Sequence, residues 1–298
     1  MNASVQAPRP MAGGAGIETG APLREFAFSD DHFRRIRSFV GTHTGITLAE
    51  SKKDMVYGRL CKRVRNRFGG SFDAFCEALA AGREDELEFL INAITTNLTA
   101  FFREPHHFDY LAKRLVPELL NRNARSKRIR IWSAGCSSGE EPYSIAITLR
   151  EAIPDLEHWD VRILATDLNA EVLAHAQEGV YGIDRIEGLS DERRKRGFFL
   201  GKGRNEGRVR VKPELREMIA FKRLNLLHDW PMRGPFDAIF CRNVMIYFDK
   251  QTQARLYTRY ADMLAPRGHL FIGHSESIYR TCDRFTAVGQ TVYRRVEP

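Results

Sequence analysis

The run IRIWSAGCSSGEEPYSIAI, residues 129–147, concentrates residues able to do chemistry. A short apolar segment meets Gly135-x-Ser137-x-Gly139, and a helical pattern begins at once. That order places backbone N–H groups and a helix N-terminus at a strand's carboxyl end, where doubly wound sheets bind nucleotides. The spacing is not the G-x-G-x-x-G of a pyrophosphate cradle. A second apolar run, Val161–Ala165, leads into Thr166-Asp167, and an acid there can accept hydrogen bonds from both ribose hydroxyls. A later run ends just before Asn243. Plainer roles compete: the glycines serve tight strand–helix packing, and Asp167 caps the next helix. G-C-S-S-G also matches a nucleophile elbow, which needs Ser137, an acid such as Asp237, and His269 or His274 as base. That fold requires several strands before the elbow, and only helical patterns precede this one.

The elements that must position these residues fall into two regions. Residues 1–22 are rich in Gly, Ala and Pro with no apolar period and read as a disordered tail. Residues 23–103 form a helical domain opened by a cap at Ser29 or Asp30, with further helices over 51–68, 71–79 and 84–94. A connecting helix is expected around His107–Leu120. Residues 104–298 form the second domain. From Arg128 onward short apolar runs alternate with helical segments, which predicts a parallel sheet covered on both faces. FTAVGQTVYRRV closes it as an antiparallel hairpin. Between about 180 and 223 the alternation breaks; FFLGKGRNEGRVRVK and the run near Ile219–Lys222 predict an inserted small antiparallel β-subdomain. The fold class is α/β and Rossmann-like. No repeat is visible at a period of 20–50 residues.

Composition narrows the setting. The chain has 298 residues, 43% hydrophobic and 28% charged, enough to bury a core. No run reaches the roughly 18 apolar residues of a membrane span, and the N-terminus lacks a signal peptide's pattern. Five cysteines form no C-x-x-C pair, which fits reduced thiols in a cytoplasmic protein and gives no metal site. The net charge of +8 favours an anionic partner without choosing among nucleic acid, membrane surface and acidic protein.

Four segments, TTNLTAFFRE, CSSGEEPYSIA, FDAIFCRNVMIYFD and GHSES, together resemble the chemotaxis receptor glutamate methyltransferases, the CheR family. The likeness runs in order from Phe26 to Val296. It implies a class I methyltransferase fold, S-adenosylmethionine as cofactor and a receptor glutamate as acceptor. That cofactor has no phosphate, so the looser glycine turn suits it. Carried over by the resemblance, Asn97, Thr99 and Arg103 contribute to the cofactor pocket, and Glu140 and Asp167 meet the amino-acid and ribose parts. Gly135 belongs to the turn, Asn225 and Leu226 lie near the adenine, and Arg242 and Asn243 close the pocket. Arg103 and Tyr247 are the candidates for orienting the acceptor carboxylate. Leu98, Phe101 and Phe102 read as core.

A glutamate carboxylate is ionised at neutral pH, with an unperturbed pKa of about 4.3, so its methylation needs no general base. The absence of a Ser-His-Asp constellation therefore does not count against the activity. For the partner, the helix at 51–68 carries many cations, and Lys52, Arg59 and Arg63 fall in one stripe at helical spacing, with Lys62 beside it. By default such a run is a solvated face; with the resemblance it becomes a docking stripe for the acidic helical cytoplasmic region of receptors. RNA is disfavoured because no stacking-aromatic motif is present. The turn Gly201–Gly207 resembles the form that grips a receptor's C-terminal tether in some family members. The expectation is a monomer, neither bound to nucleic acid nor inserted in membrane. The alternatives are a non-catalytic receptor-binding adaptor that keeps the fold, or a methyltransferase acting on another polyanion such as RNA.

Overall fold

The computed structural model describes residues 24–296. The expected N-terminal tail lies outside them. Four helices come first: α1 (Asp30–Thr44), α2 (Lys53–Phe68), α3 (Phe72–Ala80) and α4 (Glu84–Ile94). Ser29 caps α1 through the His32 N–H, with the His32 ring returning to the Ser29 N–H, and Ser71 caps α3. Their apolar stripes meet in one core around Phe33, Leu60, Phe75 and Leu90. Among the described residues no helix is long and apolar enough to cross a membrane.

Two members of the expected docking stripe are spent inside this lobe, which corrects that reading. The Arg59 guanidinium donates to the carbonyls of Ala93, Ile94 and Thr95 at 3.0–3.1 Å, satisfying the C-terminus of α4. Arg63 forks onto the buried Glu86 carboxylate at 3.0 Å through both Nε and Nη2 and stacks over Phe89. The helical period places cations beside the apolar face without revealing that acids and open carbonyls of α4 wait there. Arg63→Ala should therefore lower stability by about 2 kcal/mol in urea unfolding, by removing charge-assisted bonds from a buried acid. The exposed Lys62→Ala should stay within about 0.5 kcal/mol.

A helical connector follows: α5 (His106–Tyr110), a π-type turn at Leu111–Leu115, and α6 (Val116–Arg122). Pro117 explains the widened turn, because it offers no N–H and its ring excludes the carbonyl four residues back.

The sheet domain then alternates as expected. Its elements are β1 (Arg128–Ala134), α7 (Glu140–Ala152), β2 (Asp160–Asp167), α8 (Ala170–Glu178), β3 (Val180–Gly182), α9 (Asp191–Gly197), β4 (Phe198–Leu200), β5 (Arg208–Val211), α10 (Pro213–Arg216), β6 (Ile219–Arg223), β7 (Phe236–Cys241), α11 (Lys250–Met263), β8 (Leu264–Ile272), β9 (Phe285–Gly289) and β10 (Val292–Arg295). Seven strands form one sheet in the order β6-β2-β1-β7-β8-β10-β9, parallel except where β10 runs against its neighbours β8 and β9. The chain reverses its winding between β1 and β7, which opens a crevice at their carboxyl ends. Strand β7 is buried at every position, as a parallel strand covered on both faces must be.

The inserted small sheet is β3-β5-β4. Here the structure corrects the expected extent. Residues 219–223 do not join the insert; β6 pairs parallel with β2, Asp167 opposite Arg223, at the edge of the main sheet. A five-residue run looks the same in either sheet, and only the partner distinguishes them.

His269 on β8 is buried against Tyr110, and burial pushes its imidazole down to about 4, with Arg294, Arg122 and Arg267 adding to the effect. Its folded pKa lies below the unfolded value, so the stability it contributes is complete above pH 6.5 and drains as pH falls toward 4. The unfolding free energy from urea titrations should fall over that window, by at most about 1.4 kcal/mol per pH unit for this group. The pH slope should flatten in His269→Gln.

Candidate active site

Strand β1 ends in a turn that only its sequence permits. Gly135 sits at φ +87°, and a Cβ there would collide with Val244 Cγ2. Gly139 sits at φ +99°, where a Cβ would press on Ala176 and the Tyr181 hydroxyl. Between them Ser137 also takes a left-handed φ of 50°, which turns its N–H onto Asp167 Oδ2 at 2.8 Å. The Asn169 N–H donates to Asp167 Oδ1 at 3.0 Å. Burial pushes the Asp167 carboxyl pKa up, and these backbone donors pull against it. Asp167 does not cap α8; Asn169 does, accepting from the N–H groups of Glu171 and Val172.

The hydrolase reading fails on partners. Ser137 Oγ donates to the Asn97 carbonyl at 3.1 Å. Asp237 is the second residue of β7, at the opposite end of the strands from the glycine turn, tied to Arg122 at 2.6 Å and to the Arg130 N–H at 2.8 Å. His269 meets Tyr110, and His274 meets Glu104 at 2.7 Å. No acid–base–serine line forms.

The segment joining the lobes wraps over this turn. Asn169 Nδ2 donates to Thr95 Oγ1 at 2.8 Å and Asn92 O at 3.2 Å, tying the end of α4 to the sheet. The Phe102 N–H donates to Ser144 Oγ at 2.9 Å, and Phe102 and Glu104 both take positive φ, so the chain turns sharply around Arg103. Arg103 Nη1 donates to the Leu98 carbonyl at 2.9 Å. Phe101 and Phe102 are buried as expected, but Leu98 is 77% exposed, so its assignment to the core is corrected. The linker folds its two aromatics under the sheet domain, which leaves Leu98 at the outer bend.

Arg242, at the end of β7, is 3% exposed and points back beneath the linker. Its guanidinium lies 3.1 Å from Glu141 and 3.4 Å from Glu104, and donates to the Arg103 carbonyl. Burial raises the Glu141 pKa, with Arg242 and Ser133 opposing. Burial also acts to raise Glu104, yet the His274 hydrogen bond and the Arg242 charge outweigh it and bring that carboxyl down to about 2. Glu140, the acid carried over by resemblance, instead accepts from Ser138 Oγ at 2.7 Å and pairs with Arg185. Glu141, not Glu140, lines the cleft. Neighbouring helical residues point about 100° apart, so only the phase of α7 decides between them.

The strand-end motif RNVMIY is folded on one carboxylate. Glu276 accepts from the N–H groups of Gly273, Asn243, Met245 and Ile246, at 2.5–3.4 Å. This holds Asn243 at φ +58° and shapes the 3₁₀ turn that carries Tyr247. The Tyr247 carbonyl accepts from the Thr47 N–H at 2.9 Å, and Asn225 Nδ2 donates to the His43 carbonyl at 2.8 Å, so both segments also bind the helical lobe. Glu276 lies in the quoted GHSES motif, but no sequence signal assigned it this work.

These pieces enclose a cleft of about 570 Å³ between the helical lobe and the carboxyl ends of β1, β2 and β7. Small-molecule pockets occupy roughly 300–1,000 Å³. Asn97, Thr99, Arg103, Gly135, Asp167, Asn225, Leu226, Arg242, Asn243 and Tyr247 all line it, together with Lys52. Arg59, Lys62, Arg63 and Glu140 do not.

Residues 31–95 match the all-alpha domain of CheR methyltransferase, and residues 97–294 match its SAM-binding domain. The chain belongs to the CheR methyltransferase family. Among curated proteins it is similar to chemotaxis protein methyltransferase 2 of Pseudomonas aeruginosa, with 47% identity covering 91% of this chain and 95% of that one. It is also 45% identical to the Salmonella typhimurium chemotaxis protein methyltransferase, covering 91% and 92%, and 44% identical to that of Escherichia coli, covering 90% and 91%.

The cleft of this CheR chain fits the methyl donor S-adenosylmethionine. Asp167 lines the cleft, and with one backbone N–H hydrogen-bonded to each oxygen the carboxylate keeps acceptor capacity that a ribose diol could use. Ile46, Leu48, Leu226 and Val244 give an apolar wall.

Proposed function

We propose that this chain transfers the methyl group of S-adenosylmethionine to glutamate side-chain carboxylates on acidic helical cytoplasmic segments of chemotaxis receptors. The observation carrying this reading is that Arg103 and Tyr247 share one cleft with Asp167, so a cation and a phenol meet the place a donor would occupy. S-adenosylmethionine supplies an electrophilic methyl on a sulfonium sulfur. Asp167 holds the ribose hydroxyls, with Asn97, Thr99, Asn225 and Leu226 around the remainder. Arg103 and Tyr247 orient the acceptor carboxylate, which is already ionised and surrenders no proton. Lys52, at the same cleft, attracts the acidic acceptor surface; the exposed Lys62 is the other free cation proposed for docking, in place of Arg59 and Arg63. Orientation and exclusion of water carry the catalysis. The enzyme works as a cytoplasmic monomer.

The test is transfer of labelled methyl to receptor-bearing membranes, followed by base treatment. Base-released volatile methanol is expected from glutamyl esters, and base-stable label would refute the carboxylate acceptor. Tyr247→Phe should lower kcat about tenfold, the range of one orienting hydrogen bond.

The small sheet supports a second contact. Strand β4 lies at its edge and exposes Phe199 and Leu200. An unpaired edge with apolar neighbours suits an added peptide strand, here the receptor's C-terminal tether beside the Gly201–Gly207 turn. Calorimetry with the receptor tail peptide should show binding that Leu200→Asp weakens; equal affinity in the variant removes this role.

A further inference from the structure

Behind the linker two buried atoms without a hydrogen-bond partner face each other: Glu104 Oε2 and His107 Nδ1, 3.6 Å apart. Their surroundings fix what each presents. The Thr291 hydroxyl donates its proton to the Gln290 carbonyl at 2.8 Å, so toward His107 Nε2, also at 2.8 Å, it can only accept. The ring proton of a neutral His107 therefore sits on Nε2, and Nδ1 turns a lone pair toward Glu104. Burial, and then the charge of Arg242, push the His107 pKa down to about 3, so the ring is neutral. Glu104 is ionised, and its other oxygen meets the His274 ring at 2.7 Å. Two acceptors thus oppose each other inside the protein, where buried polar atoms require a partner.

Separation decides between the candidates for that partner. Arg242 Nη2 lies 3.4 Å from Glu104 Oε2 but makes no hydrogen bond to it. A water donating to both acceptors over about 2.8 Å each would hold them about 4.4 Å apart. Two ligands of one tetrahedral zinc, each about 2.0–2.1 Å from it, stand about 3.3 Å apart. The observed 3.6 Å lies nearer the metal's bite. The half-buried His106 supplies a third ligand: its ring centroid is 4.1 Å from that of His107, and ligating atoms of Glu104, His106 and His107 all lie within 4.8 Å of one another. We propose that these three residues form a site for a divalent transition ion of the zinc class, which staples the end of the linker to the start of α5. Two imidazoles and one carboxylate suit zinc, whereas magnesium and calcium call for oxygen ligands. Arg242 opposes a second cation, and its two acids, Glu104 and Glu141, offset that charge, so the affinity expected is micromolar. The site needs nothing from the methyl-transfer reading.

The experiment titrates full-length, chelator-stripped protein with zinc chloride in calorimetry, with cobalt chloride as a coloured probe of geometry. Zinc should bind with micromolar Kd, and cobalt should show the strong visible bands of a tetrahedral ion. Zinc should also raise Tm, because only the folded chain assembles the site. Glu104→Gln and His106→Ala should each weaken zinc binding at least about tenfold and remove the Tm gain. The exposed His158→Asn, outside the cluster, should keep both. Circular dichroism checks the fold of each variant, and the half-buried His106 gives a readable variant even where Glu104→Gln unfolds. Wild-type protein that takes up no zinc at about 1 mM ion would overturn the site. So would zinc affinity that survives undiminished in a folded Glu104→Gln or His106→Ala variant, which places the ion elsewhere.

Discussion

Arg242→Met lowers the unfolding free energy by about 3–5 kcal/mol, the cost of removing one partner from a buried ionic group. The guanidinium is the cation shared by Glu104 and Glu141, and it also caps the Arg103 carbonyl. Methionine fills similar volume, so the loss is electrostatic rather than a cavity. Glu141 is the more exposed to the change: burial already raises its pKa, and without Arg242 only Ser133 remains to bond it. Chemical unfolding measures the loss. Arg242→Met combined with Glu141→Gln should recover part of it, because the amide no longer carries a stranded charge. A single variant of near wild-type stability would show that the two acids do not depend on this arginine.

Asp167→Ala weakens S-adenosylhomocysteine binding by at least a hundredfold in calorimetry, about 2.7 kcal/mol. Two effects add. The ribose loses its acceptor, and the N–H groups of Ser137 and Asn169 lose theirs, so the turn holding the cleft loosens. Asp167→Asn separates the two, since its one carbonyl oxygen still serves one backbone donor and one ribose hydroxyl, while the NH2 in place of the other oxygen serves neither. It should fall between wild type and alanine. Unchanged affinity in the alanine variant would place the cofactor elsewhere.

Much of this site can be read directly from the residues. Gly135, Ser137, Gly139 and Asp167 announce a strand, a turn and a strand-end acid, because each signal spans a few neighbouring residues and follows from local geometry. Arg59 and Arg63 show where such reading stops. Helical spacing places both beside the apolar face, but their partners belong to α4, 23 to 36 residues further along. The sequence likewise does not tell a solvated or docking cation from one consumed in capping a helix. Leu98 is the reverse case: an apolar residue in an aromatic-rich motif reads as core, and a pair of left-handed residues at Phe102 and Glu104 leaves it outside.

The amino-acid order alone determined the helical lobe, the alternating sheet domain, the glycine turn and its acid, since periodicity and turn chemistry act over a few residues. The tertiary structure decided that Glu141 rather than Glu140 faces the cleft, that β6 joins the main sheet, and that Glu276 and Arg242 hold the segments lining the cleft. Those outcomes depend on pairs far apart in the chain, 101 residues for Arg242 and Glu141, whose meeting is set by how the whole sheet winds.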